Sequence, residues 1–352
     1  MDRARTLAAV YRHFGAVAAA GTLYGRVAVA LSESDQALRA IGAAPARRRH
    51  PAVVLAALHD LALAGRAPQL AAAYAAADGD AAAGAAIDTL IRMTDPVVAI
   101  AVRRLPQTYE TQRCAVLYPA IAEAARRAGA NAVGLIDVGC PAGLGLHVDR
   151  VGVTYSDRRS LGDPASPVQL SASVVGAQPI PTRSMPEVVA RIGVDPDPLD
   201  LTNAHDARWL HACLWPDQPE QVARLDATLA LAATAPPLLL RGSAVEVLPD
   251  AVARVPPDAL PVVTTSWALS RVPLESRLRF LHRLDEAAAG RAVAWVSTEG
   301  VGVAPAVPTL GDRRAAGHSI IGLTVLDRAA LRAQALGRCW SRGRLLSWLE
   351  NA

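Results

Sequence analysis

The pattern of apolar residues changes part-way along the 352-residue chain, and this change constrains the fold more than any other feature. The first part is alanine-rich and places apolar residues such as Leu58 and Leu61 at helical spacing. From Ala132 onward, short β-rich runs alternate with helical stretches, which is typical of an α/β doubly wound sheet. We therefore expect an all-helical N-terminal domain over residues 1–128 and a Rossmann-like α/β domain over 129–352.

Strands are expected at seven places in the second domain. They are the runs VGLIDV, VGVTY, MPEVVARIGVD, PLLLRG, LPVVTTSW, RAVAWVSTEG and IIGLTVLD, with helices over 219–233 and 275–289 between them. In doubly wound sheets, ligands bind outside the carboxyl ends of the strands. Candidate functional residues are therefore the polar residues that follow these runs.

Basic residues and hydropathy exclude several classes of protein. All 36 basic residues are arginine, so a P-loop lysine and a Schiff-base lysine are both absent. The arginines are spread along the chain and aromatic residues make up only 4% of it, which argues against a nucleic-acid partner. No window supplies the roughly 18 charge-free apolar residues of a membrane helix. We expect a cytoplasmic protein without a membrane partner.

Cysteine and histidine spacing gives no sign of a metal site. The four cysteines lie far apart without a CxxC pair, so they predict reduced thiols and not a disulfide framework or a zinc site. His205 and His211 are six residues apart and fall on different faces of a helix. No metal is expected.

The stretch LIDVGCPAGLGLHVD, residues 135–149, carries the strongest functional pattern. Asp137 lies near the end of a predicted strand, and Gly139, Gly143 and Gly145 follow it in the spacing D-x-G-x-x-x-G-x-G. Glycine allows the backbone to turn sharply and to approach a ligand without an intervening Cβ atom. These four residues are the predicted core of a cofactor site.

The residues around this turn decide between the known glycine-rich motifs. Pro141 occupies the place of the second glycine in the dinucleotide fingerprint, and the P-loop fails for want of lysine. A helix starting near Leu144 would offer backbone N–H groups to a polar ligand. The remaining pattern is that of Rossmann-like methyltransferases that use S-adenosylmethionine, and Cys140 is included among the cofactor-binding candidates. The alternative is a tight turn that binds nothing.

Two further cofactor contacts are expected after later strands. Asp195 follows an apolar run and would accept hydrogen bonds from the ribose hydroxyls, with Asp197 and Asp200 as alternates. Ser243, which follows the predicted strand PLLLRG, is the candidate for a hydrogen bond to the edge of the adenine ring. A solvated proline-rich turn and a helix-capping serine explain the same residues without a ligand.

Substrate-binding and catalytic candidates come from two other segments and from the end of the stretch 135–149. In QTYETQR, the residues Gln107, Glu110 and Arg113 have a spacing close to one helical stripe, which could form a substrate wall or an ordinary salt-bridge seam. If a general base is needed, the candidates are His147, Glu110 and Asp163, the last within the turn GDPASPV.

Several stretches carry a resemblance to a known family: LPQTYETQR, LIDVGCPAGLGLHVDRV, GDPASPV, GVDPDPLD and LWPDQPEQVARLDA. On these, the chain resembles an uncharacterised, mainly actinobacterial family of unknown function, whose members join a helical half to a methyltransferase-like half. The resemblance covers nearly the whole chain. The resemblance implies the fold of the chain but does not identify a substrate. The chain departs from the family at Thr265 and Ser266, where the family carries His-Ser, and at Cys140 and Pro141, where it carries small residues.

Together these patterns predict an S-adenosylmethionine-dependent methyltransferase that acts on an unknown small-molecule acceptor. Methyl transfer from a sulfonium depends mainly on in-line positioning of the acceptor, so a missing histidine does not exclude it. The alternative from another class is a non-catalytic binding or scaffold protein with a degenerate methyltransferase fold.

Overall fold

The structure is a computed structural model that describes residues 2–107, 111–314, 317–328 and 330–349. The chain divides into two compact units. The first, the helical unit, contains residues 1–109 and 200–226, and the second, the sheet unit, contains residues 110–199 and 227–352. This division differs from the predicted boundary at residue 128.

Helices dominate the first unit and flank the sheet of the second. The α-helices are α1 (Asp2–His13), α2 (Leu23–Glu33), α3 (Asp35–Gly42), α4 (Pro51–Leu63), α5 (Pro68–Ala75), α6 (Gly79–Arg92), α7 (Thr94–Arg103), α8 (Cys114–Ala128), α9 (Ala204–Ala212), α10 (Pro219–Ala233), α11 (Ala244–Ala253) and α12 (Leu274–Ala288). The expected helices over 219–233 and 275–289 are thus confirmed, the second to within one residue. None of the helices in the described residues is long and apolar enough to span a bilayer.

Local signals in the sequence explain where the helices of the first unit begin. The side chains of Thr22, Ser34 and Asp78 accept hydrogen bonds from backbone N–H groups in the first turns of α2, α3 and α6. Pro51 and Pro68 lie in the first turn of α4 and α5, where a missing N–H leaves no hydrogen bond unmade. The prediction of an N-terminal helical part is confirmed.

Within the described residues, eleven strands form one mixed, mostly parallel sheet in the second unit. The strands are β1 (Ala132–Val138), β2 (Gly152–Tyr155), β3 (Ser160–Gly162), β4 (Gln169–Val174), β5 (Glu187–Asp195), β6 (Leu238–Arg241), β7 (Leu260–Ser266), β8 (Val293–Gly300), β9 (Ser319–Asp327), β10 (Ala330–Trp340) and β11 (Leu345–Trp348). Their order is β3-β2-β4-β11-β10-β9-β8-β7-β1-β5-β6. All seven predicted strands are present, and the prediction of an α/β sheet is confirmed.

Five neighbouring strands form a parallel core in the order β6-β5-β1-β7-β8. The chain runs outward from β1 through β5 to β6, then returns to the other side of β1 for β7 and β8. The position between β1 and β7 is therefore a topological switch point, where ligands bind in doubly wound sheets. The carboxyl ends of all five strands lie at the same edge.

Each face of this sheet packs on its own apolar core. On one face the buried residues of β1, β7, β8 and β9 pack around α8, with Leu135, Val262 and Val296 among them. On the other face Ile136, Val263 and their neighbours pack against α11 and α12. Because α8 is buried along almost its whole length in the first of these cores, it belongs to the sheet unit, and the boundary lies before it.

The connection from β1 to β5 departs from a simple strand-helix-strand crossover. A helix does start at Leu144, as expected, but it is a short 3-10 helix over Leu144–Arg150 with a kink at His147. The strands β2, β3 and β4 follow it before the chain reaches β5. The long helix α8 covers the face of the sheet that such a crossover helix would otherwise fill.

Candidate functional site at the carboxyl ends of the parallel strands

Asp137 lies at the end of β1 with its carboxylate enclosed by the chain. The residue is only 1% exposed, and the hydroxyl of Thr264 on β7 donates to its Oδ1 atom at 2.7 Å. Its Oδ2 atom is buried and has no hydrogen-bond partner among the described residues. A buried acceptor without a partner costs about 1–3 kcal/mol, so this oxygen needs an explanation.

The glycine turn after Asp137 combines close packing with a close approach to the acid. Gly139 and Gly143 have positive φ angles of 75° and 67°. A Cβ atom at these two positions would lie 2.8 Å from Ala268 and 2.3 Å from Pro237, so the chain itself fills that space. A Cβ atom on Gly145 would lie 3.0 Å from the free Oδ2 of Asp137. Of the three predicted glycines, Gly145 is the one next to the acid.

Cys140 is buried in this turn as a neutral thiol. Burial, followed by the charge of Asp137, raises the pKa of the thiol well above its ordinary value. The structure therefore favours a small residue accommodated in a tight turn over a reactive thiolate.

His147 is directed away from the acid of the turn. The ring is 1% exposed and its Nε2 hydrogen-bonds the carbonyl oxygen of Ala235 at 3.0 Å, while Nδ1 is buried with no partner in the part of the chain described. Burial lowers the pKa of the imidazole, which therefore remains neutral at physiological pH. The structure does not bring this candidate base together with Asp137.

An ion pair fixes the short 3-10 helix to the neighbouring strand. Arg191 on β5 donates two hydrogen bonds to Asp149, at 2.7 and 2.6 Å, and a third to the carbonyl oxygen of Leu146. The side chain of Arg191 is 8% exposed and that of Asp149 is 19% exposed. A bidentate pair in this setting holds the segment after the glycine turn in one position.

Asp195 ends β5, the strand next to β1. One oxygen of its half-buried carboxylate accepts the backbone N–H of Asp197 at 2.8 Å, and burial raises its pKa above the ordinary value. The alternate Asp197 is in an ion pair with Arg241 at 3.0 Å, and the carboxylate of Asp200 accepts hydrogen bonds from Thr202. Of the three aspartates 195, 197 and 200, Asp195 is the one whose negative charge is least stabilised by hydrogen bonds and ion pairs.

Two other predicted residues have local structural roles. Ser243 is the N-cap of α11 and forms a reciprocal capping pair with Glu246. Asp163 is exposed, and its Oδ1 accepts the backbone N–H of Ala165 at 2.8 Å within the turn. Ser243 therefore has the helix-capping role that the sequence allowed, and Asp163 accepts a hydrogen bond within its own turn.

The predicted helical stripe over residues 107–113 is wrong at its first member. Helix α7 ends at Arg103, and Gln107 lies in a non-helical segment where its backbone N–H donates to Cys213. Pro106 explains this break, because a proline disfavours the helical conformation of the residue before it and lacks an N–H donor. Glu110 lies outside the described residues.

Arg113 and Trp267 meet above the sheet edge near the switch point. Arg113 precedes α8, and its guanidinium lies 5.9 Å from the centroid of the Trp267 ring. Trp267 directly follows β7 and donates its indole N–H to the hydroxyl of Ser319 on β9 at 2.8 Å. Its φ angle is 55°, a conformation that bulky side chains seldom adopt. Because β8 lies between β7 and β9, the hydrogen bond from Trp267 to Ser319 carries the indole across the end of β8.

Ser266 and Thr298 were not predicted as site residues. They are register partners at the ends of β7 and β8, and they are 7% and 1% exposed. Both hydroxyl oxygens are buried without a hydrogen-bond partner among the residues that the structure describes. The signal was present in the sequence, since polar residues end the otherwise apolar runs LPVVTTSW and RAVAWVSTEG.

Glu299 is the second buried acid of this edge, and the sequence did not single it out. It is 1% exposed, and its Oε1 atom accepts the backbone N–H groups of Ala268 and Leu269, each at 3.0 Å. Burial raises the pKa of its carboxyl group to about 7, although the hydrogen bonds from the backbone act in the opposite direction. Glu299 thus fixes the segment that packs on Gly139.

Comparison with known proteins places the chain in a family without assigning an activity. The family model described as "Uncharacterized protein conserved in bacteria (DUF2332)" matches residues 8–348. The chain belongs to this family. A search of curated proteins found no match. Membership in DUF2332 confirms the predicted relationship to an uncharacterised bacterial family and leaves the function to be inferred from the site.

Proposed function

We propose that this member of DUF2332 is an S-adenosylmethionine-dependent methyltransferase that acts on a small-molecule acceptor. One observation carries the proposal: two acids, Asp137 and Asp195, end two adjacent parallel strands beside the switch point of a doubly wound sheet. The methyltransferase-type character of the fold is part of this proposal. Neither a nucleic acid nor a membrane is proposed as a partner.

The residues at these strand ends fit the polar groups of the cofactor. Asp195 has one carboxylate oxygen engaged by a backbone N–H, and its raised pKa indicates a charge that further hydrogen bonds would stabilise. The two ribose hydroxyls would supply such bonds. The free Oδ2 of Asp137 would accept a hydrogen bond from the amino group of the cofactor, and the missing Cβ of Gly145 leaves room beside it.

The chemistry that this chain must supply is mainly positioning. When bound, S-adenosylmethionine supplies a methyl group on a positively charged sulfur. The protein's part is to bind it through Asp195 and Asp137 and to align the acceptor in line with the methyl group. A general base is needed only for an acceptor that must lose a proton.

A second candidate function is a non-catalytic binding or scaffold protein with a degenerate form of this fold. The packing of the glycine turn favours it. The space over Gly139 and Gly143 is filled by Ala268 and Pro237, and the helix after the turn is a short 3-10 segment. In that case the turn would shape the sheet edge and would bind no cofactor.

Calorimetric titration with S-adenosylmethionine and S-adenosylhomocysteine separates the two functions. The wild-type protein should bind both saturably, and Asp195→Ala should weaken binding at least tenfold because the hydroxyl acceptor is lost. The matched control is Asp250→Ala, which removes an exposed carboxylate that pairs with Arg254 on α11. A wild-type protein that binds neither compound would overturn the proposal in favour of the scaffold.

A further inference from the structure

The helical unit contains a cavity of about 520 Å³ that opens to solvent. Its wall is formed by the start of α2, by the turns that precede α2 and α6, and by the segment between α9 and α10. All of these belong to the same unit. Cavities of this size bind small molecules in proteins. None of the residues proposed to bind at the sheet edge lines this cavity, so it is available to a separate ligand.

Glycines shape the wall and the mouth of the cavity. Gly15 lies in a π-helical turn over Phe14–Ala18, and a Cβ atom on it would lie 2.6 Å from the carbonyl oxygen of Gly25 on α2. The π-helical turn therefore packs directly on α2 along one wall. A Cβ atom on Gly21 would contact nothing beyond its neighbours in the chain, so the space beside this residue is open.

Asp217 brings a negative charge to the wall from a distant part of the chain. It belongs to the segment LWPDQ between α9 and α10, and its half-buried side chain lines the cavity. Its Oδ2 atom accepts the backbone N–H of Leu23, the first residue of α2, at 2.7 Å. Its Oδ1 atom is buried without a hydrogen-bond partner among the described residues. One backbone N–H leaves much of the negative charge uncompensated, so the carboxylate can still attract a ligand cation.

Arg26 supplies the opposite charge one helical turn further along α2. Residues three apart on a helix are neighbours on its surface, so Arg26 lies beside Leu23, whose N–H binds Asp217. The guanidinium of Arg26 pairs with Asp80, with its Nε atom 2.7 Å from Oδ1. Both side chains of this pair are well exposed, at 60% and 78%. Since exposed ion pairs contribute little to stability, a ligand carboxylate can compete with Asp80 for Arg26.

The charges of the wall restrict the chemistry of the ligand. Among the described residues that line the cavity, Asp217 and Arg26 are the only charged ones, and most of the others are glycine or apolar. A ligand that carries only a positive charge would meet Arg26, and one that carries only a negative charge would meet Asp217. A small zwitterion satisfies both side chains. An α-amino acid has this arrangement, and an aliphatic side chain would pack on Leu23 and Val29.

We propose that this cavity binds a free aliphatic α-amino acid, with its ammonium group on Asp217 and its carboxylate on Arg26. The inference is independent of the proposed function, because the cavity lies in the helical unit and shares no residue with the strand ends. It also assigns a role to the segment LWPDQ, which the sheet-edge site does not use.

Calorimetric titration of the full chain with the aliphatic L-amino acids alanine, valine, leucine, isoleucine and methionine tests the proposal. At least one should bind saturably with a dissociation constant below about 1 mM, which is within reach of a ligand of this size. The corresponding amine without the carboxylate and the corresponding acid without the ammonium group should each bind at least tenfold more weakly. For leucine, these analogues are isoamylamine and isocaproate. The analogues test both charged contacts in the unmodified protein.

Matched variants test the two side chains separately. Asp217→Asn keeps an oxygen that accepts the N–H of Leu23 but removes the charge, and Arg26→Gln removes the guanidinium. Each should weaken amino-acid binding at least tenfold, and Arg26→Gln should leave the thermal midpoint nearly unchanged because its ion pair is exposed. The control is Arg92→Gln, which breaks another exposed ion pair, with Asp88 on α6, and should leave binding unchanged.

The outcomes separate this inference from the proposed function. No saturable binding of any of the five amino acids, equal binding of the amine or acid analogue, or unchanged binding by Arg26→Gln would each overturn the amino-acid site. Binding of S-adenosylmethionine should be unaffected by Arg26→Gln, and amino-acid binding should be unaffected by Asp195→Ala. Loss of both ligands in Arg26→Gln would show that the cofactor itself occupies the cavity and would overturn the inference of a separate site.

Discussion

Two turns of the sheet unit look alike in sequence and differ in structure. The turn after β1, residues 139–143, and the turn after β3, residues 163–167, both combine proline with small residues and lie beside an aspartate. In the second turn, the carboxylate of the exposed Asp163 accepts a hydrogen bond from the backbone N–H of Ala165, two residues later in the same turn. In the first, Asp137 is buried and one of its oxygens finds no partner among the described residues.

The difference shows that the position of a turn in the sheet determines whether its aspartate is exposed and hydrogen-bonded locally or is buried and available to a ligand. The turn after β3 lies at the edge strand, where water and local backbone groups satisfy polar atoms. The turn after β1 lies inside the parallel core, between β5 and β7, where the neighbouring strands exclude water from the acid. Polar atoms that remain unpaired in such a place are candidates for ligand contacts.

The largest expected effect comes from breaking the ion pair that fixes the segment after the first turn. Asp149→Ala should lower the free energy of unfolding by about 3 kcal/mol, because it leaves the buried guanidinium of Arg191 without its partner. Asp157→Ala, which breaks the local pair with Arg159 before β3, should cost less than about 1 kcal/mol. Urea denaturation of both variants measures the difference, and equal losses would remove the contrast between the two regions.

The second prediction concerns the pH dependence of stability. Since burial raises the folded-state pKa of Glu299 to about 7, its contribution to stability is fully present below its ordinary pKa of about 4.3. That contribution is lost as the pH rises through about 7, and it amounts to about 3 kcal/mol. Glu299→Gln should remove this dependence. Urea denaturation at pH values from 4 to 8 tests it, and parallel curves for the two proteins would contradict the assignment.

A smaller effect is expected from the hydroxyl that supports Asp137. Thr264→Val removes the hydrogen bond that Oδ1 of the buried carboxylate accepts, at a cost of about 1–3 kcal/mol. Thr298→Val has the same change in shape and removes a hydroxyl that has no hydrogen-bond partner in the described part of the chain, so it should be neutral or stabilising. Chemical denaturation of the two threonine variants compares them directly. A larger loss for Thr298→Val would show that its hydroxyl is paired in solution.

The smallest effect is expected at the turn after β3. Asp163→Asn keeps an oxygen that accepts the N–H of Ala165, so the free energy of unfolding should change by less than about 0.5 kcal/mol. Binding of S-adenosylmethionine should also be unchanged in calorimetry. A tenfold loss of binding would instead place Asp163 in the site and remove the distinction between the two turns.

Much of the fold could be predicted because the β-rich runs are long and apolar. All seven predicted strands are present, and five of them form the parallel core. The strands that the sequence did not reveal are β3, β4, β10 and β11. The strands β3 and β11 have only three and four residues, β4 alternates exposed and buried positions, and the sequence of β10 has no long apolar run. Their pairing depends on partners distant in sequence.

The site could be predicted only in part. Asp137 and Asp195 follow predicted strands and do lie at the ends of neighbouring strands. Ser266, Thr298 and Glu299 also end predicted strands, but their burial and their missing partners depend on the register between β7, β8 and β9. His147 was assigned from its position near the glycine turn, whereas the kinked 3-10 helix directs its ring to Ala235.

The sequence by itself determined that a helical part precedes an α/β sheet, because apolar periodicity reports which face of an element is buried. It also determined that acids end the first two strands of the parallel core. Only the tertiary structure decided that α8 belongs to the sheet unit. It also decided that the hydroxyl of Thr264 donates to one oxygen of Asp137, whereas the hydroxyls of Ser266 and Thr298 find no hydrogen-bond partner among the described residues. The physical reason is that desolvation and hydrogen bonding depend on neighbours brought together by strand order and register, and a linear pattern does not contain those neighbours.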